Sequence, residues 1–352
     1  MMSLLPRLVA LATAVPDHSL DQDAVTELAT RVFAAAPDLV RLLRVFASSG
    51  VRRRYSAVPL NWFAEPHDWA QRNRHYLREA VELLERAASR VLDRAGLAPA
   101  DIGAIVAVST TGIATPSLDA LLIERLHLRP DIHRLPIFGL GCAGGAIGLA
   151  HAATLAAAMP DRPALLLVVE LCSVTFREGD ASKSNIVGAA LFGDGAAAAL
   201  LSCRGSGPAI LASGEHTWPR SLDIMGWDVA ADGLKPIFSR DIPRLVASRL
   251  REVASGFLAQ HGMAVGDIDR FVCHPGGPKV IDACEQAFAL EPGTLADARA
   301  VLRDFGNMSA PTVLFVLQRL LAEERDDRSW RRALMTAFGP GFTAGFVALE
   351  NN

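Results

Sequence analysis

Aromatic residues are scarce in this chain of 352 residues: Phe, Trp and Tyr together make up 6% of it. Cysteine is scarcer still, with five in all at positions 142, 172, 203, 273 and 284 and no Cys-x-x-Cys pair. An odd, scattered set excludes a disulfide framework and a zinc ribbon, and fits a reduced cytoplasm. A basic excess is missing as well. The net charge is -3, so no global positive field is present for nucleic acid. Long apolar runs are absent by eye. The stretches 149–159 and 164–169 fall well short of the ~20 residues a spanning helix needs, so no membrane span is expected. At the N-terminus, Pro6 and Arg7 break the apolar runs of MMSLLPRLVALATAVP. This segment reads as a first strand and not as a secretion signal. What remains is a chain 51% hydrophobic and 21% charged, rich in Ala and Gly. That composition belongs to a folded protein of about two domains or halves with close helix packing.

Strand-like runs alternate with helical ones, which argues for an α/β protein. Strands are expected over 104–109, 164–170, 196–202, 270–274, 333–338 and 343–349, and helices over 38–46, 76–95, 117–126, 144–158, 242–261, 278–288 and 311–324. One linker stands out at 202–208 (SCRGSGP) and suggests halves of 1–205 and 206–352. The chain repeats itself across that linker. ADIGAIV begins at 100 and GDIDRFV at 266. From Asp101 it is 41 positions to Cys142, and from Asp267 it is 40 to Asn307. Each half then closes with a Gly-x-Gly turn, at 193–195 and 339–341, and the first carries about 19 extra residues near 170–190. Duplication would place Cys142 and Asn307 at equivalent helix N-termini facing one another.

Three segments carry reactive side chains. In FGLGCAGGAIG (138–148) a cysteine directly precedes a small-residue helix. Orphan backbone N–H groups and the helix dipole there stabilise a thiolate. The alternative is an inert buried cysteine. In VCHPGGP (272–278) a histidine ends a strand and enters a Gly/Pro turn, where catalytic groups commonly sit. It could also be a core histidine. In DFGNMS (304–309) Asn307 precedes a helix and could be only its cap. Taken together, Cys142, His274 and Asn307 make a nucleophile, a proton partner and an oxyanion donor.

With 174–177 (VTFR), 191–195 (LFGDG), 274–278 (HPGGP), 306–309 (GNMS) and 338–341 (FGPG) in this order, the chain resembles a type III polyketide synthase. The family is chalcone synthase-like and lies within the thiolase superfamily. The resemblance implies a five-layered αβαβα fold of two duplicated halves and a homodimer. It also implies use of acyl-CoA and malonyl-CoA without a carrier protein, metal or redox cofactor. Cys142, as a thiolate paired with protonated His274, would hold the growing chain, while His274 and Asn307 stabilise the malonyl-derived enolate. Phe192 matches a gatekeeper phenylalanine. The second gatekeeper position falls on Pro236, which puts that role in doubt. Thr111, Cys172, Thr175 and Ser309 match positions lining the acyl pocket. Arg41, Arg44 and Lys279 match basic positions for the CoA phosphates, and Ser48 stands where a third would be. No role is assigned to the arginines at 52–54.

Around 225–243 the chain looks like bacterial alkylpyrone and alkylresorcinol synthases, with Trp227 where plant relatives keep a glycine. A medium- to long-chain fatty acyl starter is therefore expected, with a malonyl-primed polyhydroxynaphthalene synthase as the alternative. An initiating ketoacyl-acyl carrier protein synthase would carry His-Gln-Ala-Asn in place of HPGGP. A hydrolytic cysteine enzyme would release free acid without consuming malonyl-CoA, and the complete Cys142–His274–Asn307 set argues against a dimeric binding homologue without activity.

Overall fold

The structure is a computed structural model that describes residues 5–34, 36, 39–322 and 330–351. The first half runs β1 (Arg7–Ala14), β2 (His18–Asp21), α1 (Gln22–Val32), α2 (Leu39–Ala47), β3 (Arg53–Ser56) and α3 (Trp69–Ala95). It continues through β4 (Ala104–Val108), α4 (Leu118–Arg125), β5 (His133–Ile137), α5 (Gly144–Ala158), β6 (Ala164–Leu171), α6 (Lys183–Leu191) and β7 (Asp194–Ser202). The second half holds β8 (Ala209–Thr217), β9 (Met225–Ala230), β10 (Gly233–Phe238), α7 (Ile242–Gln260), β11 (Arg270–Cys273) and α8 (Pro278–Phe288). It ends with α9 (Ala296–Phe305), α10 (Thr312–Leu321), β12 (Arg332–Gly339) and β13 (Thr343–Glu350). Residue 38 of the first expected helix and residues 323–324 of the last lie outside the described residues.

The duplication is visible in the pairing. In the first half β4 pairs parallel with β6, β6 antiparallel with β7, and β7 antiparallel with β1. In the second, β11, β12, β13 and β8 repeat those relations in the same order. The two half-sheets join into one nine-stranded sheet where β1 meets β8 at the pair Arg7↔Ala209, and β5 extends the first beside β4. The repeated Asp does the same work in both copies. Asp101 accepts from the Ala98 N–H at 2.8 Å and Asp267 from the Ala264 N–H at 2.8 Å. Each closes the short turn that launches β4 or β11. The extra residues also fall into place: β6 and β7 are joined through 172–193, whereas β12 and β13 are joined through only 340–342.

Five layers result. α3 and α4 cover the outer face of the first sheet, α5 and α10 lie between the sheets, and α7 and α8 cover the outer face of the second. Asp68 and Gln71 cap α3 reciprocally, and Gly96 ends it in the left-handed conformation. Leu83 and Leu84 on α3 are fully buried, each contributing about 1.5–3 kcal/mol of apolar burial. Its central place explains why α5 has no polar face: Gly145 and Gly148 let it press on Ala310 and Val108, where a Cβ would come within 3 Å. The 18 residues Gly141–Ala158 are apolar and long enough by composition to cross a membrane, a run the apolar stretches read from the sequence understated. In this fold 72% of that run is buried between the sheets.

Candidate active site

Cys142 lies in the tight turn Gly141–Ala143 that feeds α5. Gly141 has φ +47°, and a Cβ there would strike Pro340 at 2.7 Å, so only glycine brings the nucleophile turn onto the 338–341 turn. His274 follows the last residue of β11, and its N–H donates to the Thr336 carbonyl at 2.9 Å. Asn307 sits between α9 and α10. Its backbone forms a bridge with the segment after α6: the Asn307 N–H donates to the Leu191 carbonyl at 2.8 Å, and the Gly193 N–H donates to the Asn307 carbonyl at 3.1 Å. All three side chains line one cleft of about 370 Å³.

The carboxamide of Asn307 is oriented before any ligand arrives. Its Oδ1 accepts from the Ser309 N–H at 2.8 Å, an Asx turn and not the helix cap the sequence allowed, since α10 starts only at Thr312. The Nδ2 group faces the cleft, with the Gly276 carbonyl at 3.4 Å. Neither ring nitrogen of the buried His274 has a hydrogen-bond partner among the described residues. The Asn307 amide and the unpartnered His274 ring thus face one cleft, an arrangement suited to stabilising an oxyanion. Ser309, held at φ +58°, brings its hydroxyl to 3.4 Å from the Cys142 Sγ.

Burial governs the charges here. It pushes the Cys142 thiol up to about 11, against the hydrogen bond with Ser309, with the nearby Glu170 adding in the same direction and Asn307 opposing it. Burial also drives His274 down to about 3. This opposes the ion pair expected from the sequence: burial favours the neutral thiol and the neutral imidazole. Glu170 closes the floor beneath. Its Oε2 accepts from the Thr110 N–H, the Thr111 N–H and the Thr111 hydroxyl at 3.0, 2.9 and 2.8 Å. Burial nonetheless raises this carboxyl to about 7.

The other expected site residues divide. Phe192 lines the cleft, and so does Gly188, which lacks the Cβ that would meet the Phe192 ring at 3.2 Å. Both also line a second, narrower apolar slot of about 70 Å³ beneath α1, together with Cys172, Thr175 and Pro236. Thr111 lines neither cavity, because its hydroxyl is committed to Glu170 and to the Leu171 N–H at 2.9 Å. The second aromatic wall is absent at Pro236 but present two residues on. Phe238 lines the cleft with its ring 5.6 Å from that of Phe192, edge to face. Trp227 lines neither cavity and stands 6.4 Å from Phe192.

Lys279 lies at the cleft, as expected, and so does Ser48. Two cations that sequence reasoning passed over, Lys183 and Arg240, line it too. What burial Lys183 has, followed by the like charges of Arg240, Arg41 and Lys279, lowers its pKa. Arg41 therefore joins the cluster. Arg44 is exposed one helical turn before Ser48 and lines no cavity described here. A cluster drawn from α2, α6, α8 and the segment after β10 has no sequence signature, since each part contributes one residue.

Two family models match the chain: chalcone and stilbene synthases, N-terminal domain, over residues 5–208, and the corresponding C-terminal domain over 210–351. A 1,3,6,8-tetrahydroxynaphthalene synthase of Streptomyces peucetius is 41% identical over 97% of this chain and 92% of its own length. An α-pyrone synthesis polyketide synthase-like protein of Mycobacterium tuberculosis is 28% identical over 95% of this chain and 88% of its own. Among solved structures, the 1,3,6,8-tetrahydroxynaphthalene synthase of Streptomyces coelicolor superposes with a TM-score of 0.94 at 31% identity. That match covers 98% of this chain and 99% of the other.

Proposed function

The chain belongs to the chalcone and stilbene synthase family, the type III polyketide synthases, and from that membership we propose how its own residues divide the work. It is an acyltransferase that condenses malonyl-CoA. Cys142 carries the acyl chain, and His274 and Asn307 stabilise the enolate. The observation that carries this reading is the single cleft in which Cys142, the unpartnered His274 ring and the oriented Asn307 amide meet.

The steps follow from that arrangement. The Cys142 proton passes to His274 as Sγ attacks the thioester carbonyl of the starter. CoA departs as its thiol, taking the proton from His274. Malonyl-CoA then places its thioester oxygen between His274 and the Asn307 Nδ2. Loss of CO2 leaves its electron pair as an enolate whose charge those donors meet. A histidine kept neutral by burial suits this second task, because it offers an N–H without a competing charge. The enolate carbon attacks the acyl-Cys142 carbonyl, the carbon–sulfur bond breaks, and the lengthened chain returns from CoA to the cysteine. Phe192 and Phe238 keep water from the enolate. Arg41, Lys183, Arg240 and Lys279 hold the CoA phosphates, with Arg44 an outlying member, and Ser309 orients the thiol.

For the starter, the reading is a medium- to long-chain fatty acyl-CoA, giving an alkylpyrone or alkylresorcinol-type product. Its support is the apolar slot behind Phe192, lined by Cys172, Thr175 and the apolar face of α1. A panel of acyl-CoA starters with malonyl-CoA, read by product mass, tests it. The parent should prefer medium or long chains, and Cys172→Phe should shift the preference toward shorter ones by filling the slot. Preference for short or aromatic starters would contradict the reading. The relatives named as tetrahydroxynaphthalene synthases favour a second reading, priming by malonyl-CoA itself, which would yield product with no other starter present. A homodimer is also proposed. Ile113 and Phe138, 47% and 61% exposed, follow the neighbouring strands β4 and β5 and offer apolar surface at one edge. The two halves, divided near 205, share this one site.

A further inference from the structure

We propose that Arg54 is the positioning residue that sets the junction between Phe192 and Asn307, and through it the oxyanion donor and the cleft wall. Arg54 lies on β3, in the small β2–β3 ribbon outside both large sheets, and is only 4% exposed. Its guanidinium reaches the end of α6, where backbone carbonyls have run out of helical partners. Nη1 donates to the Ala189 carbonyl at 2.6 Å and to the Phe192 carbonyl at 2.9 Å, and Nη2 donates to the Ala190 carbonyl at 2.9 Å. Nη2 also meets the Gln22 Oε1, and Gln22 in turn donates to the Ala190 carbonyl at 3.1 Å. One rigid, planar cation therefore fixes three carbonyls within four residues, a task a lysine ammonium cannot copy.

The fixed strip is the one on which Asn307 hangs, through the Leu191 carbonyl and the Gly193 N–H. The fit continues at the stem of Arg54. Its Cβ lies 3.3 and 3.5 Å from where a Cβ would stand on Gly193 and Gly306. Both glycines keep the two backbones close, and a Cβ on Gly193 would meet the Phe305 carbonyl oxygen at 2.3 Å. The strip thus cannot move toward Asn307 and is held from behind by Arg54. The side chain of Arg54 is not placed at the reacting atoms. It borders the apolar slot on the far side of Phe192, so its effect on the reaction passes through Phe192 and Asn307.

This inference rests on the enolate-stabilising role proposed for Asn307, and its test separates the two. Arg54→Lys and Gln22→Met are compared with the parent for CO2 release from malonyl-CoA, for alkylation of Cys142 and for thermal midpoint. Arg54→Lys should lower kcat for decarboxylation about tenfold to a hundredfold, the loss typical of a small misplacement of a catalytic group. KM for malonyl-CoA and the rate of Cys142 alkylation should stay near parent values, because the thiol sits on the Gly141–Ala143 turn and Lys183 stands at the opposite end of α6 from the carbonyls Arg54 holds. Gln22→Met keeps Arg54 but removes one of the two partners of Nη2, and should act in the same direction by a smaller factor. It decides the matter if the lysine variant does not fold. Parent kcat in every folded variant, or a loss of decarboxylation matched by an equal loss of alkylation, would overturn the proposal. A parent protein that releases no CO2 would remove the Asn307 reading and this inference with it.

Discussion

Cys142→Ala is expected to abolish polyketide formation while malonyl-CoA decarboxylation continues. The two halves of the chemistry use different atoms. Loading needs Sγ, and its loss should reduce product by at least about a thousandfold, as removal of other catalytic nucleophiles does. Decarboxylation needs only the malonyl thioester oxygen held by His274 and the Asn307 Nδ2, and neither depends on Sγ for its place. Asn307 is fixed by Leu191, Gly193 and Ser309, and His274 by the end of β11 and the Thr336 carbonyl. CO2 release and product mass, measured on the same sample, separate the two effects. A parallel loss of both would mean that the thiol takes part in decarboxylation, and product at the parent rate would remove Cys142 as nucleophile.

His274→Ala should have the second large effect, on both reactions. Without its proton acceptor the thiol stands alone, where burial pushes it up to about 11. A lone thiol of that kind is ionised to about one part in ten thousand at pH 7. Alkylation of Cys142 in this variant should therefore be slow at neutral pH and climb about tenfold per pH unit until the thiol titrates. The parent should react faster at pH 7, because His274 takes the proton as Sγ attacks. Decarboxylation should fall by about two to three orders of magnitude through loss of one oxyanion donor. The pH profile of alkylation in the two proteins checks the sign. Equal rates across pH 6 to pH 9 would show that His274 does not serve the thiol.

Much of this architecture is legible in the sequence, for reasons the structure makes plain. The Asp101 and Asp267 turns are local, each closed by its own side chain within four residues, so they recur as matching short motifs. Cys142 and His274 each sit beside a glycine-rich turn and Asn307 directly follows Gly306, and such turns show in one dimension. The extra residues between β6 and β7 also read correctly, because a duplicated frame reveals an insertion by spacing alone. What stayed hidden depends on convergence. Lys183 and Arg240 become a cluster only when α6 and the end of β10 meet at the cleft. Arg54 looks like one of three adjacent arginines until it is seen beneath the end of α6. Pro236 stands at the position where the family resemblance implies a second aromatic wall. Side chains two apart share a strand face, so Phe238 supplies a ring from the same face one step further along β10. The thiolate–imidazolium pair follows from the family resemblance, whereas burial, which sets the cost of each charge, is a property of the packed cleft.

The central claim is that Cys142 carries the growing chain, and intact-protein mass measurement tests it most directly. Protein mixed briefly with an acyl-CoA starter should gain the mass of one acyl group. Added malonyl-CoA should lengthen that adduct by successive ketide units. Peptide mapping should place every adduct on Cys142, with none formed in Cys142→Ala. Adducts on another residue, or product formed at full rate with no covalent acyl-protein at any time, would contradict the account.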